Sequence, residues 1–229
     1  MDYSKIEEKI GVKFNNLDLL IQAFTHRSFL NENKDKGLKH NERIEFLGDA
    51  VLELATTNYL FRAFPDRHEG DLTAFRASLV NTQSISDAST RLGFNEYLRL
   101  SRGEAKDTGR ARSYILANTF EAVIGAIYLD QGYESADKFI NENLIPTLDK
   151  IIFDGTWVDG KSKLQEYVQE KYSLTPAYQT ISEEGPDHDK DFTVAVFYGD
   201  KQIETGVGKS KQEAEQDVAR KILKEDEII

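Results

Sequence analysis

Three acidic residues stand at helical spacing inside an otherwise apolar stretch of the chain. The stretch NERIEFLGDAVLELA begins at position 41 and includes Glu42, Glu45 and Asp49. Positions i, i+3 and i+7 lie on one face of an α-helix, so the three carboxylates would repel one another. Burying carboxylates among apolar side chains is costly unless a cationic group meets them. The pattern therefore predicts a cationic partner for this helix face.

A second helical stretch, SYILANTFEAVIGAIYLDQG, carries Asn118 and Glu121 at i, i+3 spacing. It is apolar nearly all round, which predicts a central buried helix. If the two helices pack side by side, their acids and the carboxamide converge. Oxygen ligands without His or Cys suit Mg²⁺ or Mn²⁺ and suit zinc poorly. Such a site can activate water and stabilise the charge of phosphoryl transfer, although the spacing alone leaves an acidic, solvated helix face as the alternative.

Composition limits the classes of protein that the chain can represent. Its 229 residues carry a net charge of −11, so a polyanion would have to bind a local basic patch. The chain has no Cys, which excludes disulfides, thiolate metal sites and Cys nucleophiles. No apolar run is long enough for a membrane span, and the N-terminus lacks the apolar stretch of a secretory signal. We therefore expect a cytoplasmic protein without a membrane partner.

Hydrophobic periodicity predicts two domains of different class. Residues 1–150 show helical spacing and no strand-like alternation, which predicts an all-α domain. Residues 151–158 have no clear period and contain Gly155, so we interpret them as a linker. Residues 159–229 show one helix pattern, three alternating segments and a second helix pattern. This order predicts a small α+β domain, α-β-β-β-α, with both helices on one face of the sheet.

The segment GVGKSKQEAEQDVARKIL near the C-terminus has features of a phosphate-binding helix end. Gly206 and Gly208 are interpreted as a tight turn, and Ser210 as the N-cap of the last helix. Lys209 and Lys211 then lie at the positive end of the helix dipole, where phosphate binds. The alternative is an ordinary charged surface helix.

The first helix of the second domain has a polar face of a different kind. Its members share i, i+3, i+4 and i+7 spacing, and they are Ser162, Gln165, Glu166 and Gln169. Mostly uncharged donors and acceptors suit the ribose 2′-hydroxyls in the shallow minor groove of A-form RNA. This face is therefore a candidate RNA-binding surface.

The motifs together resemble bacterial ribonuclease III. NERIEFLGDAVL is similar to the defining motif of that family, and FTHRSF, EGDLTAFRASLVN and SRGEAKDTGRARSYILANTFEAVIGAIYLD follow in the family's order. The C-terminal segment resembles the closing half of a double-stranded-RNA-binding domain. The resemblance implies a homodimeric endonuclease that cuts double-stranded RNA, one strand per subunit. It implies Mg²⁺ as the cofactor, with Mn²⁺ as a substitute. It also implies processing of ribosomal RNA precursors and structured messages.

The resemblance assigns roles to residues by position. It implies a metal site of Glu45, Asp49, Asn118 and Glu121, with Asp49 and Glu121 in the catalytic roles. Glu42 and Glu69 match acidic positions that support the dimer or the second half of the site. In the second domain, His188 lies in a loop that the family inserts into a minor groove, and Gln212 replaces a Lys that is usual there.

Asn118 is the main departure from the family pattern, because the family usually has Asp at this position. A carboxamide oxygen still ligates a metal, but one negative charge is lost. We therefore expect a working enzyme that needs more metal. The alternatives are a weakened or inactive regulator that binds double-stranded RNA, and an acidic helical scaffold.

Overall fold

The computed structural model describes residues 2–33, 37–186 and 190–229, and divides the chain into two compact units. Unit 1 comprises residues 1–151 and unit 2 comprises residues 152–229. Within the described ranges, no helix has both the length and the apolar character needed to cross a membrane. The predicted order of an all-α domain followed by an α-β-β-β-α domain is confirmed.

Unit 1 is built of helices, and the last of them continues past residue 151 into unit 2. In chain order the helices are α1 (Ser4–Ile10), α2 (Leu17–Ala23), α3 (Arg27–Glu32), α4 (Glu42–Ala63), α5 (Glu69–Leu79), α6 (Thr82–Arg91), α7 (Arg110–Gln131), α8 (Tyr133–Asn143) and α9 (Leu148–Asp154). Short 3₁₀ turns occupy Phe94–Glu96, Glu104–Lys106 and Ile145–Thr147.

Helix α7 is the centre of unit 1, as its all-round apolar pattern predicts. It packs against α2, α4, α6 and α8. Phe120 of α7 is fully buried between Phe94 and Phe139, with ring centroids 6.2 and 5.3 Å away. Ser89 of α6 donates a hydrogen bond from its hydroxyl to the carbonyl oxygen of Leu116, at 2.7 Å, which attaches α6 to the first half of α7. The helix that carries Asn118 and Glu121 is therefore held on several sides.

Unit 2 contains one antiparallel sheet and two long helices. Its elements are α10 (Gly160–Tyr172), β1 (Ala177–Glu184), β2 (Asp191–Tyr198), β3 (Lys201–Gly208) and α11 (Lys211–Glu225), with strand order β1-β2-β3. Leu164 and Val168 of α10 share a buried core with Val196 of β2 and Val218 and Ile222 of α11. Both helices therefore cover the same face of the sheet, as predicted.

The two glycines interpreted as a tight turn have a different role. Gly206 and Gly208 lie within β3, and α11 packs directly over them. A Cβ atom on Gly206 would lie 2.4 Å from the backbone nitrogen of Val218, and one on Gly208 would lie 2.5 Å from that of Ala214. The interpretation as a turn is wrong, because the close approach of helix and strand is what requires glycine here.

The stretch interpreted as a linker, 151–158, includes the end of α9, and residues 152–158 belong to unit 2. Val158 is buried, and its carbonyl oxygen accepts a hydrogen bond from Nε of Arg220 at 3.2 Å. The carbonyl oxygen of Phe153 accepts another from Nζ of Lys224 at 2.7 Å. The segment lacks a period because it combines a helix end, a left-handed turn at Gly155 and a packed residue. The domain boundaries 1–150 and 159–229 stay a prediction.

Candidate metal centre and duplex-binding surface

Helices α4 and α7 cross with their backbones in contact, and two glycines make this possible. A Cβ atom on Gly48 would lie 1.8 Å from the carbonyl oxygen of Glu121, and one on Gly125 would lie 2.2 Å from that of Ile44. The start of α4 is fixed by the buried Asn41, whose side chain donates to the carbonyl oxygen of Ala23 at 3.2 Å. The crossing therefore brings the first half of α4 onto the middle of α7.

The crossing brings acidic side chains from both helices into one electrostatic cluster. Burial raises the pKa of Glu121 to about 8, and the carboxylates of Asp49 and Glu45 add to that shift. Burial also raises the pKa of Glu45 to about 7, with further contributions from Glu42 and Asp49. Asn118, half-buried, precedes Glu121 by three positions and so shares its helix face. The predicted convergence of the two helices is therefore present.

The donor set of this cluster fits a hard divalent cation. The ion pairs of the described residues include none at Glu45, Asp49 or Glu121, so like charges face one another without a cation. In their present positions, no three His, Asp or Glu side chains of residues 2–33, 37–186 and 190–229 are gathered as a metal-binding group. Three carboxylates and one carboxamide nevertheless supply only oxygen donors, the ligands that Mg²⁺ and Mn²⁺ prefer. A divalent cation would favour the charged carboxylates against both burial and their mutual repulsion, the two causes that raise these pKa values.

Glu42 lies at the exposed edge of the cluster, close to the guanidinium of Arg27 and the imidazole of His40. Its carboxylate oxygens lie 3.4 Å from Nη1 of Arg27 and 3.7 Å from Nδ1 of His40. Of Glu42, Glu45 and Asp49, the described residues therefore supply a cationic partner to Glu42, whereas Glu45 and Asp49 face the cluster.

Glu69 lies apart from the other acids within one chain. It is the first residue of α5, and its carboxylate accepts a hydrogen bond from the Thr73 hydroxyl at 3.0 Å. It lines a surface concavity with Thr57 and Phe61 of α4. Thr57 is eight residues beyond Asp49, which is about 12 Å along a helix axis. The contacts of a single chain do not bring Glu69 to the metal cluster.

The predicted RNA-binding face of α10 is exposed to solvent. The side chains of Ser162, Gln165, Glu166 and Gln169 line one shallow groove. The opposite side of the helix carries the buried Leu164 and Val168, which fixes the orientation of the polar face. His188 lies outside the described residues, so its predicted role stays a prediction.

The start of α11 has the predicted cap and two exposed lysines. The Ser210 hydroxyl accepts a hydrogen bond from the backbone nitrogen of Glu213 at 3.2 Å, and the Glu213 carboxylate accepts one from the backbone nitrogen of Lys209 at 2.8 Å. This reciprocal arrangement satisfies backbone donors at the helix end. Lys209 and Lys211 both project into solvent, where a phosphate could reach them.

Sequence reasoning did not anticipate that each of these lysines has a carboxylate partner. Nζ of Lys209 lies 3.0 Å from Oδ1 of Asp191, and Nζ of Lys211 lies 2.7 Å from Oε1 of Glu183. Glu183 belongs to β1 and Asp191 to β2. The pairs depend on strand register, so no pattern within a single segment of sequence indicates them.

Comparison with known protein families gives two matches, one in each unit. Residues 16–148 match a family described as Ribonuclease-III-like, and residues 161–225 match the double-stranded RNA binding motif. Ribonuclease 3 of Latilactobacillus sakei is 42% identical over 222 residues, covering 97% of this chain and 96% of the relative. Ribonuclease 3 of Desulforamulus reducens is 45% identical over 217 residues, covering 95% and 88%.

A solved structure shares the fold of the first unit. The nuclease domain of ribonuclease III from Campylobacter jejuni, described for flexibility in a region involved in dimer formation, matches with a TM-score of 0.56 and 38% identity. The match covers 62% of this chain and 98% of that one.

Proposed function

Because the chain belongs to the ribonuclease III family and is an endoribonuclease, we propose that it cleaves double-stranded RNA at a divalent-metal site formed by Glu45, Asp49, Asn118 and Glu121. The observation that carries this proposal is the crossing of α4 and α7. It holds carboxylates from two helices together without a cation among the described residues, and raises two of their pKa values. Mg²⁺, with Mn²⁺ as a substitute, is the ion that suits such donors.

The residues of the cluster divide the chemical work. A bound divalent cation would activate water and stabilise the charge that develops on the phosphate. Asp49 and Glu121 take the catalytic roles, since they approach each other from different helices and can hold and orient the reacting groups. Glu45 adds a charged oxygen donor, and Asn118 adds a neutral one. Glu42, paired with Arg27, supports the edge of the site.

Unit 2 supplies the affinity for the duplex. We assign phosphate contacts to Lys209 and Lys211, because they are exposed cations at the start of a long helix. The polar groove of α10 would contact ribose 2′-hydroxyls, which distinguish RNA from DNA. Phosphate contacts fix the position of the protein on the duplex and carry no sequence information.

We also propose that the enzyme works as a homodimer, with one active cluster for each RNA strand. The observation that favours this is a stripe of exposed apolar side chains along α4: Phe46, Leu54 and Phe61 are 80%, 57% and 72% exposed. Residues spaced by eight and seven positions lie on a similar helix face. A large exposed apolar patch marks an interaction surface, and a two-fold dimer uses the same patch on both subunits.

Substitution of Phe61 by Asp tests the dimer. We expect the variant to elute as a monomer in size-exclusion chromatography with light scattering, because a charge would be buried in the interface. Leu17→Asp, on the exposed surface of α2, is the control and should leave the dimer intact. A dimeric Phe61→Asp protein would refute this use of α4.

A regulator that binds double-stranded RNA without cutting it is the second candidate, and Asn118 is its only motivation. Relatives named Ribonuclease 3 give it no support.

We propose that the cellular work of the enzyme, in the cytoplasm, is maturation of ribosomal RNA precursors and processing of structured messages.

Incubation with a long RNA duplex distinguishes the two candidates. With Mg²⁺ we expect the duplex to be shortened, a single strand of the same sequence to stay intact, and EDTA to stop the cleavage. An intact duplex at high enzyme and high Mg²⁺ would refute the nuclease proposal.

A further inference from the structure

We propose that Glu183 and Asp191 compete with RNA phosphates for Lys211 and Lys209, and thereby set the affinity of unit 2 for a duplex. The inference rests on the proposed function, in which these two lysines bind phosphate. It assigns a role to two acids that sequence motifs leave without one.

The sheet register brings the two acids and the start of α11 to one edge of unit 2. Asp191 is the first residue of β2, and it is paired with Glu184 at the end of β1, directly after Glu183. The next residue of β2, Phe192, is paired with Gly208, which ends β3 immediately before Lys209. The acids therefore lie where the chain leaves the sheet and enters the helix.

The contacts at this edge are direct ion pairs. Nζ of Lys209 lies 3.0 Å from Asp191, and Nζ of Lys211 lies 2.7 Å from Glu183. The second carboxylate oxygen of Glu183 lies 3.9 Å from Nζ of Lys190. The hydrogen bond from Lys211 also lowers the pKa of Glu183, so this acid remains charged at neutral pH.

A carboxylate presents to lysine the same kind of charged oxygen as a phosphate does. A lysine ammonium has three N–H donors, and each donor that turns to a phosphate oxygen is lost to the carboxylate, which weakens that ion pair. Once displaced, Glu183 and Asp191 remain close to the RNA backbone and repel it. Both effects lower the affinity for the duplex.

Exposure of the pairs makes the competition reversible. The side chains of Lys209 and Lys211 are 58% and 56% exposed, and those of Asp191 and Glu183 are 63% and 39% exposed. Exposed pairs of this kind contribute little to stability, so the lysines exchange between carboxylate and phosphate without disturbing the fold. Removing the acids should therefore change RNA binding and leave the structure intact.

Binding of a short RNA duplex to the full-length Glu183→Gln/Asp191→Asn variant tests the inference, in EDTA so that the RNA stays uncut. We expect the dissociation constant to fall by about two- to tenfold, the range that two exposed pairs allow. Asp200→Asn is the control for loss of a surface charge, in the turn between β2 and β3 at the opposite end of the sheet, and the effects are compared per charge removed. This control should bind nearly as the wild type does.

The same substitutions in a Lys209→Ala/Lys211→Ala background separate competition from a general charge effect. If the acids act by occupying the lysines, the gain in affinity should disappear in that background. A duplex DNA of the same sequence should gain by the same factor, because phosphate contacts do not read the sugar.

Three results would overturn the inference. A gain no larger than that of Asp200→Asn, or a gain that persists without the lysines, would overturn it while leaving the proposed function in place. If the wild type itself fails to bind duplex RNA, the inference and the proposed binding surface fail together.

Discussion

Substitution of Gly48 by Ala should damage both stability and cleavage, because this glycine lets α4 lie against α7. The added Cβ would lie 1.8 Å from the carbonyl oxygen of Glu121, about 1.6 Å short of the 3.4 Å at which ordinary contact begins. The helices would have to separate by roughly this distance. Overpacking of a rigid core costs about 1–3 kcal/mol, and backbone on the opposing side puts Gly48→Ala near the upper value.

The separation should also move Glu121 relative to Asp49 and Glu45. A misplacement of about 1 Å at an active site costs about 100-fold in rate, so we expect a loss of that order in single-turnover cleavage. Urea denaturation measures the free energy of unfolding, and the rate is measured at a temperature where the variant remains folded.

Gly70→Ala provides the matched control for this substitution. Gly70 is also helical, in α5, but a Cβ there would meet nothing within 4 Å. The Gly70→Ala substitution should leave cleavage unchanged, and the variant should be as stable as the wild type or slightly more stable, since Ala favours the helix. If Gly48→Ala matched Gly70→Ala in stability and rate, the close crossing of α4 and α7 would not be what forms the site.

Three further changes probe the metal and the duplex contacts. Asn118→Asp should lower the Mg²⁺ concentration for half-maximal cleavage, and its cleavage rate should equal that of the wild type at saturating Mg²⁺. If the Asp variant cut no faster at any Mg²⁺ concentration, the loss of a negative charge at Asn118 would not limit metal binding. Lys209→Ala/Lys211→Ala should weaken duplex binding and flatten its salt dependence, by a slope of up to about 0.9 for each lost phosphate contact; an unchanged slope would contradict the assignment. In EDTA, the free energy of unfolding should fall as the pH rises from about 4.5 to about 8, because folded Glu121 retains a proton that the unfolded chain releases near 4.5. Urea titrations across this range should show a smaller fall for Glu121→Gln, and an equal fall would refute the raised pKa.

Periodic patterns predicted the elements that carry the chemistry. The apolar pattern around Phe120 identified α7 as the central helix, and the spacing of Glu45, Asp49 and Glu121 placed the acids on faces that could converge. The alternating segments of the second domain identified its three strands. These predictions succeeded because side-chain burial repeats with the period of the helix or strand itself.

Features that depend on contacts between distant segments could not be predicted in this way. Gly206 looks like a turn residue in sequence. Glycine is required there because α11, which follows β3 in the chain, packs so closely that a Cβ atom would clash with it. The pairing of Lys211 with Glu183 depends on the register of β1 against β2. Gly48 lies in the acidic stretch of α4, and only the packed structure shows that the backbone of α7 would meet a Cβ there.

Single-turnover cleavage of a defined RNA duplex by Glu121→Gln, with duplex affinity measured in parallel in EDTA, tests most directly whether the crossing of α4 and α7 forms the active site. The substitution keeps the shape of the side chain and removes its charge, so we expect the rate in Mg²⁺ to fall by about 100-fold or more. Affinity should stay close to that of the wild type, because the phosphate contacts that we propose lie in unit 2. Glu134→Gln, on the exposed surface of α8, is the control and should cut normally. Cleavage by Glu121→Gln at a rate near that of the wild type would contradict the assignment of this cluster as the active site.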